Sequence, residues 1–386
     1  MRIIAFYLPQ FHSIPENDLW WGKDFTEWTN VKAAKPLFDG HQQPKVPLNN
    51  NYYNLLDDSV KVWQADLAKK YGVYGFCYYH YWFGDGKMLL EQPMEQMLVN
   101  KEIDIPFCIC WANEPWTRIW VGNEAETLIP QKYGDEKEWE KHFYYLLPFF
   151  QDERYITDDG KPIICIYRPY VIPNISKMIG LWRKLAIDSG LPGLTVVGKY
   201  ENDLYLADDS NALFDYIMEW QPSCAKIADR DSCKNKNSGL FNKIVRSFKK
   251  TILSIDQQYG TNFANRLVKI RDRNSTVDKN HSYDDVWEKI IQMKPVCEKS
   301  IPGAFVRWDN SPRKHKNENL ILGETPEKFQ KYLSEQIKHA KQDYHTDMMF
   351  MFAWNEWAEG GYLEPDEENG YLYLEAIKNA LKENGE

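Results

Sequence analysis

No stretch of these 386 residues approaches the ~18 consecutive apolar residues that a spanning helix needs, and the mean hydropathy is −0.60, so a helical membrane protein is excluded. Basic excess is also missing. With 47 Lys+Arg against 56 Asp+Glu, the net charge is −9, the opposite of a general nucleic-acid binder. Cysteine is scarce, odd in number at seven, and scattered. Cys77, Cys108, Cys110 and Cys165 fall inside apolar runs, where the thiol behaves as a small hydrophobe. No Cys/His group has zinc-ligand spacing, so neither a metal nor a cofactor is expected. The N-terminus runs straight into a strand-like segment without an apolar leader or small-residue cleavage site, and a reducing cytoplasm is expected. Aromatics, by contrast, are abundant: 15 Trp, 24 Tyr and 18 Phe make up 15% of the chain, which excludes disorder as its main character.

Eight short apolar runs stand at 3–9, 72–82, 106–114, 162–168, 194–201, 213–220, 303–309 and 348–356. Amphipathic patterns at 59–71, 92–100, 136–150, 175–190, 283–294, 326–343 and 371–384 alternate with them. Near-continuous apolar strands separated by helices imply a parallel sheet covered on both faces, and eight of them imply a closed (β/α)₈ TIM barrel over 1–386 as one catalytic domain. An open doubly wound sheet is the alternative, but no glycine-rich phosphate turn follows the first run. The first βα connection is long. Residues 229–280 carry 12 Lys+Arg against 5 Asp+Glu, a helical insertion of local charge +7 after strand six. Within it, 240–255 places Phe241, Ile244, Val245, Phe248 and Ile252 at helical spacing among cations. That pattern packs on the barrel or lies against an anionic membrane surface.

In a barrel of this type, chemistry gathers at the C-terminal ends of the strands. Here those ends read His80-Tyr81-Trp82, Trp111-Ala112-Asn113-Glu114, Arg168, Glu201, Glu219-Trp220, Trp308-Asp309 and Trp354-Asn355-Glu356. Glu356 and Glu359 lie three residues apart among Trp354 and Trp357. Two carboxylates given unequal environments supply a general acid and a general base, the pair that acetal cleavage between sugars requires. Glu114 is expected opposite them, with Asn113, Trp111, His80, Tyr81, Trp82, Trp308, Asp309, Trp354, Asn355 and Trp357 as further sugar contacts. In the loop after strand one, Trp21 and Trp28 are candidate stacking platforms beside Glu27.

The run Asn355-Glu356-Trp357-x-Glu359-Gly360, followed by Glu364-Pro365, resembles the signature loop of glycoside hydrolase family 99, the endo-α-1,2-mannosidases and mannanases. Ala5-Phe6-Tyr7-x-Pro9 and Glu114-Pro115-Trp116 match the same pattern. The chain is identified still more closely as a member of the WbsX family of bacterial polysaccharide-biosynthesis proteins. The hallmarks are Phe11-His12-x-Ile14-Pro15-Glu16-Asn17, Trp20-Trp21-Gly22-Lys23-x-Phe25-Thr26-Glu27-Trp28 and Trp111-Ala112-Asn113-Glu114. The resemblance implies a retaining mechanism in which Glu356 deprotonates the sugar 2-hydroxyl and Glu359 serves as acid and then base. Ala358 departs from the His usual in the hydrolases. Three functions are compatible with these residues: cleavage or transfer at a glycosidic bond of a surface oligo- or polysaccharide, nucleotide-sugar-dependent transfer in lipopolysaccharide synthesis, and non-catalytic glycan binding. Asp229-Arg230-Asp231 is the sole metal-nucleotide motif candidate for the second.

Overall fold

The computed structural model describes residues 1–118, 126–200, 213–226, 280–315 and 319–386. Eight parallel strands form its centre: β1 (Arg2–Tyr7), β2 (Gly75–Gly84), β3 (Phe107–Trp111), β4 (Lys161–Ile166), β5 (Thr195–Lys199), β6 (Tyr216–Glu219), β7 (Ser300–Phe305) and β8 (Met348–Phe352). Each pairs with its sequence neighbour, and β1 pairs with both β2 (Ile4 opposite Gly75) and β8 (Arg2 opposite Met348), so the sheet closes on itself. The expected eight-stranded barrel is therefore the fold. The strands are buried along nearly their whole length because the lumen covers one face and helices the other.

The covering helices are α3 (Asp58–Tyr71), α4 (Gln92–Val99), α5 (Glu136–Phe150), α6 (Ile175–Asp188), α7 (Tyr283–Gln292), α9 (Pro326–Gln342) and α10 (Leu372–Glu383). Sequence chemistry sets their ends. Asp57 caps α3 by accepting from the Ser59 amide at 2.9 Å, and Gly72 ends it in the left-handed conformation. The long first connection contains two short helices that periodicity does not predict, α1 (Pro15–Trp21) and α2 (Glu27–Ala33). Seven residues are too few for a periodic signal. Their traces in sequence are the proline at the first turn of α1 and Thr26 before α2, whose amide donates to Thr29 Oγ1 at 3.1 Å. One more, α8 (Ser311–Lys314), follows β7. The basic segment, including 240–255, lies outside the described residues apart from Asn280. Among the described residues no helix is long and apolar enough to cross a membrane.

Strand alternation corrects the grouping of chemistry at the second strand end. Side chains point to opposite faces at successive positions. On β2, Tyr79 and Tyr81 face the barrel mouth, whereas His80 and Trp82 face α5. The thiols of Cys77, Cys108 and Cys165, on adjacent strands, come within 4.8 Å of one another and are fully buried. Three thiols at such distances are a group that can hold a thiophilic ion, and no local C-x-x-C spacing announces it because the strands themselves bring the residues together.

Candidate active site

A cleft of about 880 Å³ opens at the C-terminal ends of the strands. The loop that closes β8 builds its chemistry. Asn355–Glu356 pairs antiparallel with Gly361–Tyr362, and Trp357–Glu359 forms a single helical turn between them. Asn355 fastens this ribbon to the end of β1: its Oδ1 accepts from the Leu8 amide at 2.7 Å and its Nδ2 donates to the Leu8 carbonyl at 3.0 Å. Gly360 ends the turn at φ +66°, where an added Cβ would meet the Asp309 amide nitrogen at 2.8 Å. That close approach lets the Asp309 N–H donate to the Glu359 carbonyl at 2.8 Å. Trp357 stacks on Tyr362 at 3.7 Å, and its indole N–H donates to Glu364 at 2.6 Å. Glu364 also accepts from Gln64 and Tyr53, and burial raises its pKa to about 7.

This scaffold holds Glu356 and Glu359 on one guanidinium. Arg313, from α8, places Nη2 3.1 Å from Glu356 Oε2 and Nη1 2.5 Å from Glu359 Oε1. Nη2 also lies 2.5 Å from Glu27 Oε1 on α2, and that oxygen accepts the Ala358 N–H at 3.3 Å. Burial raises the Glu356 pKa to about 8; Arg313 opposes the rise, while Glu359 and Glu27 add to it. Burial also raises Glu27, again against Arg313. The Glu359 side chain keeps 22% of its surface exposed, against 6% for Glu356. The pair thus occupies unequal environments, the condition for splitting acid and base roles between two carboxylates.

Around this centre, Tyr79, Tyr81, Trp116, Tyr167, Trp220, Trp308 and Phe352 line the cleft. Several of them form a continuous wall, with Trp220 meeting Phe352 at 4.8 Å and Trp308 meeting Phe352 at 5.4 Å. Glu114 stands on the rim, paired with Arg168 at 3.0 Å. Asn17 lines the cleft although it is fully buried, and neither of its amide atoms has a hydrogen-bond partner among the described residues. An unsatisfied buried amide costs ~1–3 kcal/mol, so Asn17 is a locally destabilising group in the cleft wall.

Of the residues singled out from sequence, Trp21, Glu27, Tyr81, Glu114, Trp308, Glu356 and Glu359 line this one cleft. Nine others stand behind its wall, with side chains committed to protein partners or sealed in the core. Trp28 donates to the Tyr53 carbonyl, and Trp111 to the Trp82 carbonyl. His80 meets His142 at 3.0 Å, and Trp82 stacks flat on His142 at 4.4 Å. Asn113 braces the Arg168 backbone from both ends of its amide. Trp354 is sealed at the strand end against Phe76, and Asn355 and Trp357 hold the loop as described. Asp309 accepts from His41 at 2.9 Å and Gln43 at 2.7 Å; burial opposes its ionisation, but these bonds and those from Ser311 hold its pKa down. Glu201 lies outside the described residues.

Sequence reasoning misses Arg313, the hub of the site. Its signal is faint: Asn310-Ser311-Pro312-Arg313 directly follows the Trp308-Asp309 strand end, and a Pro there marks the start of a short helix that carries Arg313. Asn17 is quoted within a motif but not as a contact, because burial without a partner is visible only in three dimensions.

The family model described as Glycosyltransferase WbsX matches residues 3–377. Two proteins named uncharacterized protein WxcX, from two strains of Xanthomonas campestris pv. campestris, are each 32% identical and match 98% of this chain. The match spans 49% of their length, so the chain covers about half of these curated relatives. Among solved structures, a GH99 endo-alpha-mannosidase from Bacteroides thetaiotaomicron superposes with a TM-score of 0.56 at 14% identity, over 99% of this chain and 97% of that one. A glycoside hydrolase-like protein gives 0.53 at 13% identity, over 98% and 93%. At such identities the likeness is one of fold.

Proposed function

Because this chain belongs to the WbsX glycosyltransferase family, we propose that it is a carbohydrate-active enzyme that cleaves or transfers at a glycosidic bond of a bacterial surface polysaccharide, with Glu356 and Glu359 as its acid–base pair. The observation that carries this reading is the convergence of the two carboxylates on Arg313 at the mouth of a barrel, in a cleft walled by indole and phenol rings. Aromatic faces suit the C–H face of a pyranose, and Asn17, Glu114 and Glu27 suit its hydroxyls. A glycan-binding barrel without catalysis has no need to hold two carboxylates within the span of one guanidinium.

In the proposed reaction, carboxylate Glu356 takes the proton of the sugar 2-hydroxyl as O2 attacks the anomeric carbon. The bond to the leaving oxygen breaks as that oxygen takes a proton from Glu359. Glu359 then removes a proton from the incoming water or hydroxyl, whose oxygen attacks the anomeric carbon while O2 departs and recovers its proton from Glu356. Two inversions give net retention. A carboxylate of raised proton affinity is the stronger base once ionised. Ala358 leaves no side-chain donor between the pair; Glu27 and Arg313 occupy that side of the loop instead. The raised proton affinity that burial gives Glu356 favours a second assignment, in which Glu356 donates and Glu359 is the base.

The test is incubation of the purified protein with the isolated surface polysaccharide of the parent cell, with and without added acceptor glycan. The expected result is new reducing ends or extended acceptor, formed with retention by proton NMR. Tight, metal-dependent binding of a nucleotide sugar in calorimetry, with an inert polysaccharide, supports the nucleotide-dependent alternative; its Asp229-Arg230-Asp231 candidate lies outside the described residues.

A further inference from the structure

A second cavity, of about 440 Å³, shares no lining residue with the cleft. Glu356 faces the cleft; the next residue, Trp357, lines this second space together with Trp63 on α3, Tyr52, Tyr371 and the run Asn49-Asn50-Asn51. Its volume falls within the ~300–1,000 Å³ of small-molecule sites. Two features of the lining point to the ligand.

The first is the amide run. All three Asn side chains are exposed at the cavity, and none hydrogen-bonds within the described residues. Asn49 and Asn50 adopt left-handed backbones, at φ +57° and +55°, a conformation Asn tolerates. Glycine would satisfy that backbone at lower steric cost, and Asn51, at φ −74°, has no such need, so backbone geometry does not account for three amides in a row. The second feature is the pairing of amides with rings. Trp63 and Tyr52 are half-buried and Tyr371 is 37% exposed. The one carboxylate in the lining, Glu364, is buried and committed to Tyr53, Gln64 and Trp357. The Lys32 ammonium lies over the Tyr52 ring at 4.0 Å, outside the lining; within it, open amides beside Trp63 and Tyr371, with no uncommitted charge, match a neutral sugar.

We infer that this cavity is a second glycan-binding site, which docks a neutral sugar unit of the same polymer at a distance from the bond being broken. The inference rests on the carbohydrate reading above for its ligand class. Its back wall is the signature loop itself, so a docked chain bears on Trp357, the residue that Glu364 anchors.

Affinity electrophoresis in gels containing the parent cell's isolated surface polysaccharide tests it, with wild type, Trp63→Ala, the pair Asn50→Gly/Asn51→Ala, and the cleft variant Trp308→Ala. The Asn50→Gly change keeps the left-handed backbone permissible, so this pair removes amides without disturbing the fold. The expected result is a roughly tenfold loss of apparent affinity in both flank variants, insensitive to salt, with turnover of short fragments unchanged. Trp308→Ala should retain part of the retardation. Retardation of both flank variants equal to wild type, with complete loss in Trp308→Ala, overturns the second site and leaves the cleft reading intact. Wild type that is not retarded at all refutes the carbohydrate reading beneath it. Retardation that vanishes at high salt overturns the assignment to a neutral unit.

Discussion

Replacing Arg313 by Met should slow the enzyme at neutral pH and return its activity at alkaline pH. The guanidinium lies 3.1 Å from Glu356, where Coulomb's law at an effective dielectric of ~20 gives about 5 kcal/mol between unit charges. Arg313 divides itself among Glu27, Glu356 and Glu359, so the shift expected is smaller, roughly one to three pKa units. The sign follows from the charge. A cation favours the ionised carboxylate, so its removal raises Glu356 from about 8. If the ionised form is the base, kcat/KM at neutral pH falls by ~10- to 1,000-fold, and the rising limb of the pH profile moves up by the same one to three units. Arg313→Lys keeps the charge but not the forked geometry and should restore most of the limb's position. The assay is reducing-end release from the polysaccharide across pH. If Glu356 is instead the proton donor, the neutral rate holds and the alkaline limb extends. A loss that is equal at every pH, with no moved limb, refutes the claim that Arg313 sets the proton affinity of Glu356.

Asn17→Leu should raise thermal stability, because it removes two unsatisfied buried polar atoms, while weakening polysaccharide binding by about tenfold; lower stability with unchanged binding contradicts the assignment. The His80–His142 pair predicts acid sensitivity. Burial lowers His80 to about 3 and His142 well below the ordinary value. Folded pKa values depressed below the unfolded ~6.5 mean that the stabilisation is complete above pH ~6.5 and is lost as pH falls toward the folded values. Each imidazole contributes up to about 1.4 kcal/mol per pH unit in that window. Urea melts between neutral and mildly acidic pH should show this slope, and His80→Leu should flatten it; an unaltered slope sinks the explanation.

The barrel was legible because its eight strands are buried on both faces and therefore apolar along their length, a pattern that survives without any tertiary information. The Glu356–Glu359 loop was legible because carboxylates among tryptophans are chemically odd. Strand phase and long-range convergence stayed hidden. Alternation sends His80 and Trp82 to the helix side and Tyr79 and Tyr81 to the cleft, and a three-residue aromatic run does not reveal its own phase. Arg313 was hidden because an exposed-looking basic residue in a polar loop acquires meaning only when three carboxylates from Glu27, Glu356 and Glu359, over 300 residues apart at the extremes, fold around it.

The central claim is that Glu356 and Glu359 perform the chemistry. Its most direct test compares Glu356→Gln and Glu359→Gln with wild type on the isolated polysaccharide, measuring bond cleavage or transfer alongside binding. Each variant should lose at least ~10²-fold in turnover while retaining affinity. Turnover at the wild-type level in both variants contradicts it.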